Sequence, residues 1–157
     1  MFKRRFIREK VLQVLYAYEV NKDGHNATVD FLLEEIKDET EREFASNLII
    51  RVIKHTVELD EKIKERVANW EMNRIALVDK ILLRMGICEL FYFPDIPPKV
   101  SINESIEIAK EYSTARSGKF INGILDAVLS ELKENGKLKK TGRGLVDESF
   151  AKPSIKK

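Results

Sequence analysis

The stretch from Ile75 to Phe93 limits what this chain can fold into more than any other. Ile75, Val78, Ile81, Leu82 and Met85 recur at helical spacing, and the residues between them leave little of the surface polar. A helix apolar on so many sides belongs in the centre of a bundle. Pro does not occur before position 94, and Gly occurs there only at 24 and 86. Few breakers therefore interrupt helices on the N-terminal side. Strand-like alternation never persists. At 157 residues, 43% of them hydrophobic, the chain is long enough to bury its own core without disulfides or a metal.

Turn and capping patterns divide the rest. From Arg4 to Val20, Ile7, Val11, Leu15 and Tyr18 fall at helical spacing. Asn21–Asn26 is a turn built on Asp23-Gly24, and a short helix follows from about Thr28 to Ile36. Thr40 and Glu43 fit a capping box that opens a helix carrying Phe44, Leu48, Val52 and His55. Asp60 is placed to cap the next helix, with Ile63, Val67 and Trp70 inward, and Asn73 the long apolar one. Pro94, Pro97 and Pro98 break the helical run. Ser101 and Glu104 form a second capping box, with a helix to about Tyr112. Ser113–Gly118 reads as a polar connection, the last helix as starting near Lys119, and Asn135-Gly136 as its stop. The expected fold is all-α: a compact bundle of about seven helices over 1–135, in subdomains of about 1–58 and 59–135. A mobile basic tail, 136–157, completes it.

The formal net charge of +2 hides a segregation. Residues 1–10 carry +4, the body 11–132 carries −7, and 133–157 carry +5. Basic ends on an acidic body suggest a polyanion partner at the ends. Cys88 is the single cysteine, so neither an intrachain disulfide nor a cysteine zinc site can form. His25 and His55 stand apart from any metal-ligand spacing. No apolar run reaches membrane-spanning length, and charges at Arg8, Glu9 and Lys10 interrupt any signal-peptide core. The chain reads as cytoplasmic. No glycine-rich phosphate loop and no Ser–His or Cys–His cue is present, so the expectation is a protein without catalytic residues, metal or cofactor.

Two stretches have the composition of a nucleic-acid surface. Arg4 and Arg8 are read as sharing a face of the first helix, with Arg5 beside them and Gln13 and Tyr16 further along it. Cations neutralise phosphates, while amide and phenol groups suit splayed bases. The alternative is a solvated basic helix end with Tyr16 partly packed. On the functional reading Arg8 is exposed, and its removal should weaken binding with little unfolding. The second stretch is Thr114–Phe120. Gly118 permits close backbone approach there, Arg116 and Lys119 add charge, and a helix N-terminus offers N–H groups to an anion. The alternative is an ordinary helix start with Phe120 in the core. Arg84 interrupts the most apolar helix, as either a structural ion pair or a groove-lining cation.

Several blocks together resemble the NusB family of bacterial transcription antitermination factors. They are Arg4-Arg5, Arg8-Glu9 and Gln13–Tyr16; the pattern from Trp70 to Leu90; Ile96-Pro97; Ser101–Lys110; and Gly118–Asp126. The resemblance covers about residues 3–130 and implies two helical subdomains. It also implies binding of the boxA segment of nascent RNA together with NusE, a small-subunit ribosomal protein, within the antitermination complex of RNA polymerase during ribosomal RNA synthesis. Carried over by position, Arg4, Arg5, Arg8, Gln13, Tyr16, Arg84, Arg116, Ser117, Lys119 and Phe120 would face RNA, and Asp79 and Tyr112 would face NusE. Either a monomer or a homodimer fits the family. Phe6 stands where some relatives carry another arginine, and Arg116 where some carry a carboxylate; a cation there favours RNA. The other readings are a helical protein–protein adaptor without specific RNA binding, and the domain that precedes some RNA cytosine methyltransferases.

Overall fold

A computed structural model of the protein describes residues 2–21 and 33–145, with the side chains of 2, 3, 69 and 70 excepted. The expected turn at 21–26, most of the short helix at 28–36, His25, the Trp70 side chain and residues 146–157 lie outside the described residues. Those described are all helical, with no strand among them. Six helices have nine residues or more: α1 (Phe2–Val20), α2 (Glu39–Lys54), α3 (Thr56–Lys64), α5 (Leu77–Tyr92), α6 (Pro98–Tyr112) and α7 (Ala115–Glu134). The single turn α4 (Asn69–Met72) and a 3-10 turn, Gly142–Leu145, complete them. None is long and apolar enough to cross a membrane.

The chain forms two compact units, 1–84 and 85–157, with the division inside α5 rather than near residue 58. In the first unit α1 packs on α2. Ile7, Val11, Leu12, Val14 and Leu15 of α1 are buried, as are Phe44, Ala45, Leu48, Ile49 and Val52 of α2. The cap of α2 is Asp38, not Thr40: its Oδ1 accepts from the Thr40 amide at 2.8 Å and the Glu41 amide at 3.3 Å. Arg42 pins the entering chain by donating to the Ile36 carbonyl at 2.7 and 3.1 Å. The chain leaves helical geometry at His55, where φ is −107° and ψ is 20°. The Thr56 hydroxyl donates back to the Val52 carbonyl at 2.8 Å. The next helix therefore starts at Thr56, and Asp60 lies inside it instead of capping it.

In the second unit α6 and α7 pack against each other and are joined by Ser113 and Thr114 alone, a helical hairpin. Pro97 and Pro98 supply the start of α6, with Pro98 in the first turn where its missing N–H costs nothing. Ser101 is thus displaced from the expected cap into a buried position, where its hydroxyl donates to Glu89 Oε1 at 2.6 Å. Helix α7 begins four residues earlier than expected, because the Thr114 hydroxyl caps it at the Ser117 amide, 3.0 Å away. Gly86 makes room for α7 and α6: a Cβ there would lie 2.8 Å from Leu125 Cδ1 and 3.1 Å from Ser105 Oγ.

Helix α7 stops as expected at Asn135-Gly136. Gly136 has φ +67°, its amide donates to Lys133 and the Lys137 amide to Leu132, a Schellman ending. The stretch beyond it, expected to be mobile, instead returns to the end of α5. Lys140 Nζ donates to the Phe93 carbonyl at 2.8 Å and the Glu89 carbonyl at 3.2 Å. The Thr141 amide donates to the Pro94 carbonyl at 2.9 Å. Gly144 is buried on the same turn, and a Cβ there would overlap the Pro94 carbonyl oxygen and come within 2.9 Å of its carbon. Each of these two carbonyls also accepts a main-chain amide, Glu89 from Phe93 and Phe93 from Ile96, so Lys140 is a second donor at the negative end of the helix. Burial nevertheless lowers the Lys140 pKa to about 8, with Glu89 and Asp95 partly opposing the shift.

The undocked segment thus binds a proton that the docked one releases between pH 8 and the ordinary lysine value of 10.5. Docking should tighten as pH rises through that window. Lys140 should titrate near 8 by NMR in the parent chain and near its ordinary value in Gly144→Ala, which should also lose hydrogen-exchange protection at Thr141 while α7 keeps its own.

Candidate nucleic-acid interface

Helix α1 carries its candidate residues on two stripes, not one. Positions 4, 8, 11 and 15 follow one another at spacings of four and three, so Arg4 and Arg8 lie in line with buried Val11 and Leu15. Arg8 is 3% exposed, which corrects the expectation of an exposed cation. The Arg4 and Arg8 guanidinium carbons lie 4.1 and 5.3 Å from the Phe44 ring centroid. Arg4 also grips Glu41 of α2 with two hydrogen bonds, 2.6 and 3.2 Å long. These two cations secure α1 to α2. Positions 5, 9, 13 and 16 make the other stripe. There Arg5, Glu9 and Gln13 are half-exposed and Tyr16 is 41% exposed. Phe6 is exposed beside them, with Lys10 Nζ 5.3 Å from its ring centroid and 2.6 Å from Glu35.

Arg84 takes the structural alternative. Its guanidinium meets both Asp60 oxygens at 2.8 and 3.0 Å and Glu19 at 3.2 Å, while its side chain is 8% exposed. All three guanidinium nitrogens therefore already have carboxylate partners, and a phosphate would have to displace them. Asp79, offered for a protein partner, is buried in the first turn of α5, where the helix dipole favours a carboxylate. In the second unit Tyr112, the other such candidate, is 39% exposed at the end of α6.

The second stretch is helical from Ala115 onward. Ser117 is buried; its amide and hydroxyl serve the cap, with Oγ 3.0 Å from Ser113 Oγ and 3.1 Å from Thr114 Oγ1. It shapes the turn and offers nothing outward. Arg116, Lys119 and Phe120 are exposed. Spacings of three and four put them on one side of α7's first two turns, where no acidic residue stands in the first turn. Positive side chains, a positive helix end and an exposed ring thus share one surface. The spacing of Gly123 extends that stripe, and a Cβ there would touch nothing within 4 Å. Its lack of a side chain leaves the backbone approachable, a feature the sequence reading passed over because an isolated helical glycine carries no motif.

An all-helical protein with two cation-and-aromatic helix surfaces is what these features define. The model of the NusB family matches residues 5–130. The transcription antitermination protein NusB of Chloroherpeton thalassium is 48% identical over 149 residues, which cover 94% of this chain and 71% of that protein. A crystal form of T. maritima NusB superposes with a TM-score of 0.76 at 36% identity, covering 86% of this chain and 97% of that one. A structure of the antitermination factors NusB and NusE with double-stranded RNA superposes with a TM-score of 0.74 at 26% identity, covering 83% and 98%. The chain belongs to the NusB family.

Three substitutions separate holding residues from facing ones. Arg84→Ala should lower unfolding free energy by about 3 kcal/mol, the low end for loss of one partner from a buried ion pair, because the Asp60 and Glu19 carboxylates it leaves are about a quarter exposed. Arg8→Ala should cost about 1–2 kcal/mol through the lost ring contact and packing. Urea unfolding of both beside Arg5→Ala, which should unfold close to the parent, measures the contrast.

Proposed function

We propose that the protein is a non-catalytic transcription antitermination factor of the cytoplasm that binds boxA-type RNA together with NusE and supports ribosomal RNA transcription. The observation that carries this reading is the pair of outward stripes, Arg5–Gln13–Tyr16 on α1 and Arg116–Lys119–Phe120 on α7. Each joins cation to aromatic ring, the combination that neutralises a phosphate chain and stacks a base. Relatives bear the name of transcription antitermination protein, and a solved relative was captured with NusE and RNA.

Roles divide accordingly. Arg5, Arg116 and Lys119 neutralise phosphates, Tyr16 and Phe120 offer stacking planes, and Gln13 supplies an amide for a base edge. Arg4, Arg8, Arg84 and Ser117 act one step back, as positioning residues for the two helices. On the protein-facing side Tyr112 offers an exposed phenol; Asp79 is the weaker choice because it is buried.

About four to six neutralised phosphates should give a log–log salt slope near −3 to −4 for single-stranded RNA. Lys119→Ala should bring that slope about 0.7 closer to zero, whereas Tyr16→Ala should weaken binding and leave the slope unchanged. Titration of boxA-type RNA across salt, with and without NusE, measures both. A salt-independent affinity, or RNA binding that NusE does not change, would leave only a helical adaptor.

A further inference from the structure

The second basic end of the chain is anchored at its start, and that anchoring gives it a surface of its own. Residues 137–145 read KLKKTGRGL, with four cations and no carboxylate. Exposure alternates along the segment: Lys137 and Lys139 are exposed, while Leu138 and Lys140 are half-buried. Lys140 is held on the Phe93 and Glu89 carbonyls, Thr141 on the Pro94 carbonyl, and Gly144 in a space that admits no Cβ. Gly142, at φ +53°, turns the chain between the last two anchors. Arg143 is exposed between them. Neither Lys137, Lys139 nor Arg143 makes an ion pair among the described residues.

We infer that this docked strap is a further nucleic-acid contact, in which Lys137, Lys139 and Arg143 bind the phosphate backbone of single-stranded RNA flanking the sequence that the protein reads. The inference rests on the RNA-binding reading above. Three features favour an RNA backbone over an acidic protein segment. The outward groups are cations with almost no apolar surface among them, Leu145 alone being an exposed large hydrophobic. The strap lacks the aromatic or amide groups that would read a base. Its anchors hold the backbone in place before a ligand arrives, so binding forgoes much of the ordering cost that a loose tail would meet. A contact of this kind is indifferent to sequence and acts through counterion release.

The experiment uses the full chain, a boxA-type RNA and an oligouridine of equal length. The triple variant Lys137→Gln, Lys139→Gln, Arg143→Gln removes the outward charges and keeps the anchors. Its salt slope should be shallower than the parent's by about 2 on both RNAs, which corresponds to roughly 15-fold less affinity lost between 0.05 and 0.2 M salt. Gly144→Val keeps every charge but displaces the strap, and should weaken both RNAs with loss of Thr141 amide protection. Parental affinity and slope in the triple variant would overturn the inference. So would competition by polyglutamate as effective as that by oligouridine and equally dependent on the three cations. A parent chain without boxA preference and insensitive to Lys119→Ala, yet sensitive to the triple change, would refute the proposed function and sustain the strap. No binding of either RNA by the parent would refute both.

Discussion

The first unit depends on one cation. Arg84 on α5 bonds Asp60 on α3 and Glu19 on α1, so a single guanidinium ties three helices that lie far apart in sequence. A charge placed in so apolar a helix is costly unless every N–H it buries finds an acceptor. Its planar fork meets two carboxylates with fixed geometry, which a lysine could not do. Specificity follows from that cost: a register of α1 that moved Glu19 away would leave a buried cation short of a partner. Arg4, bonded to Glu41 near the other end of α1, fixes the same helix a second time. Between these two points the helix has one rotational setting, and that setting leaves Arg5, Gln13 and Tyr16 on the outside.

The cations most prominent in the sequence are therefore mainly those that hold the helix. Arginine serves both purposes because its guanidinium packs flat on a ring as readily as it pairs with phosphate. Composition cannot tell the two apart, but spacing can: residues 4 and 8 continue the stripe of Val11 and Leu15, whereas 5, 9, 13 and 16 avoid it. The helical class, an apolar helix over Leu77–Tyr92 and the Asn135-Gly136 stop were legible because each depends on period or local turn chemistry, although that helix starts at Leu77 and Asn73 closes the turn before it instead of capping it. Three helix starts lie earlier than the sequence pattern places them, each at an earlier cap or proline. Asp38 stands just ahead of Thr40, Pro97-Pro98 ahead of Ser101, and Thr114 ahead of Lys119; in each case the earlier residue won. Long-range partners such as Asp60 for Arg84 and Glu89 for Ser101 leave no mark in local sequence, since only the folded chain brings them together.

The same limit explains the C-terminal segment. KLKKTGRGL has no apolar period, and by composition it belongs with solvated tails. What docks it is main-chain chemistry: a carbonyl at the end of α5, a carbonyl at Pro94, and a glycine small enough to lie against it. Helix ends always leave carbonyls in need of donors, and a proline following the helix cannot donate an N–H of its own. Thr141 answers that need at Pro94, and Lys140 adds a second donor to the Glu89 and Phe93 carbonyls, which already accept main-chain amides. Lys140 also stands near the buried Glu89 carboxylate, which raises its pKa against the larger effect of burial.

Electrostatics then ties the strap to the rest of the molecule's charge. A net charge of +2 on 157 residues would by itself predict weak attraction to a polyanion. Part of the acidic excess, however, lies in contacts with the molecule's own cations: Glu41 with Arg4, Glu19 and Asp60 with Arg84. These contacts occupy three carboxylates with two guanidinium groups and leave the total unchanged, while cations left outward gather on particular helix faces and on the strap. Attraction over short distances follows the arrangement of exposed charge, because salt screens anything beyond about 8–10 Å. A nearly neutral chain can therefore present distinctly positive surfaces, provided that its ion pairs are internal and its remaining cations are held in place.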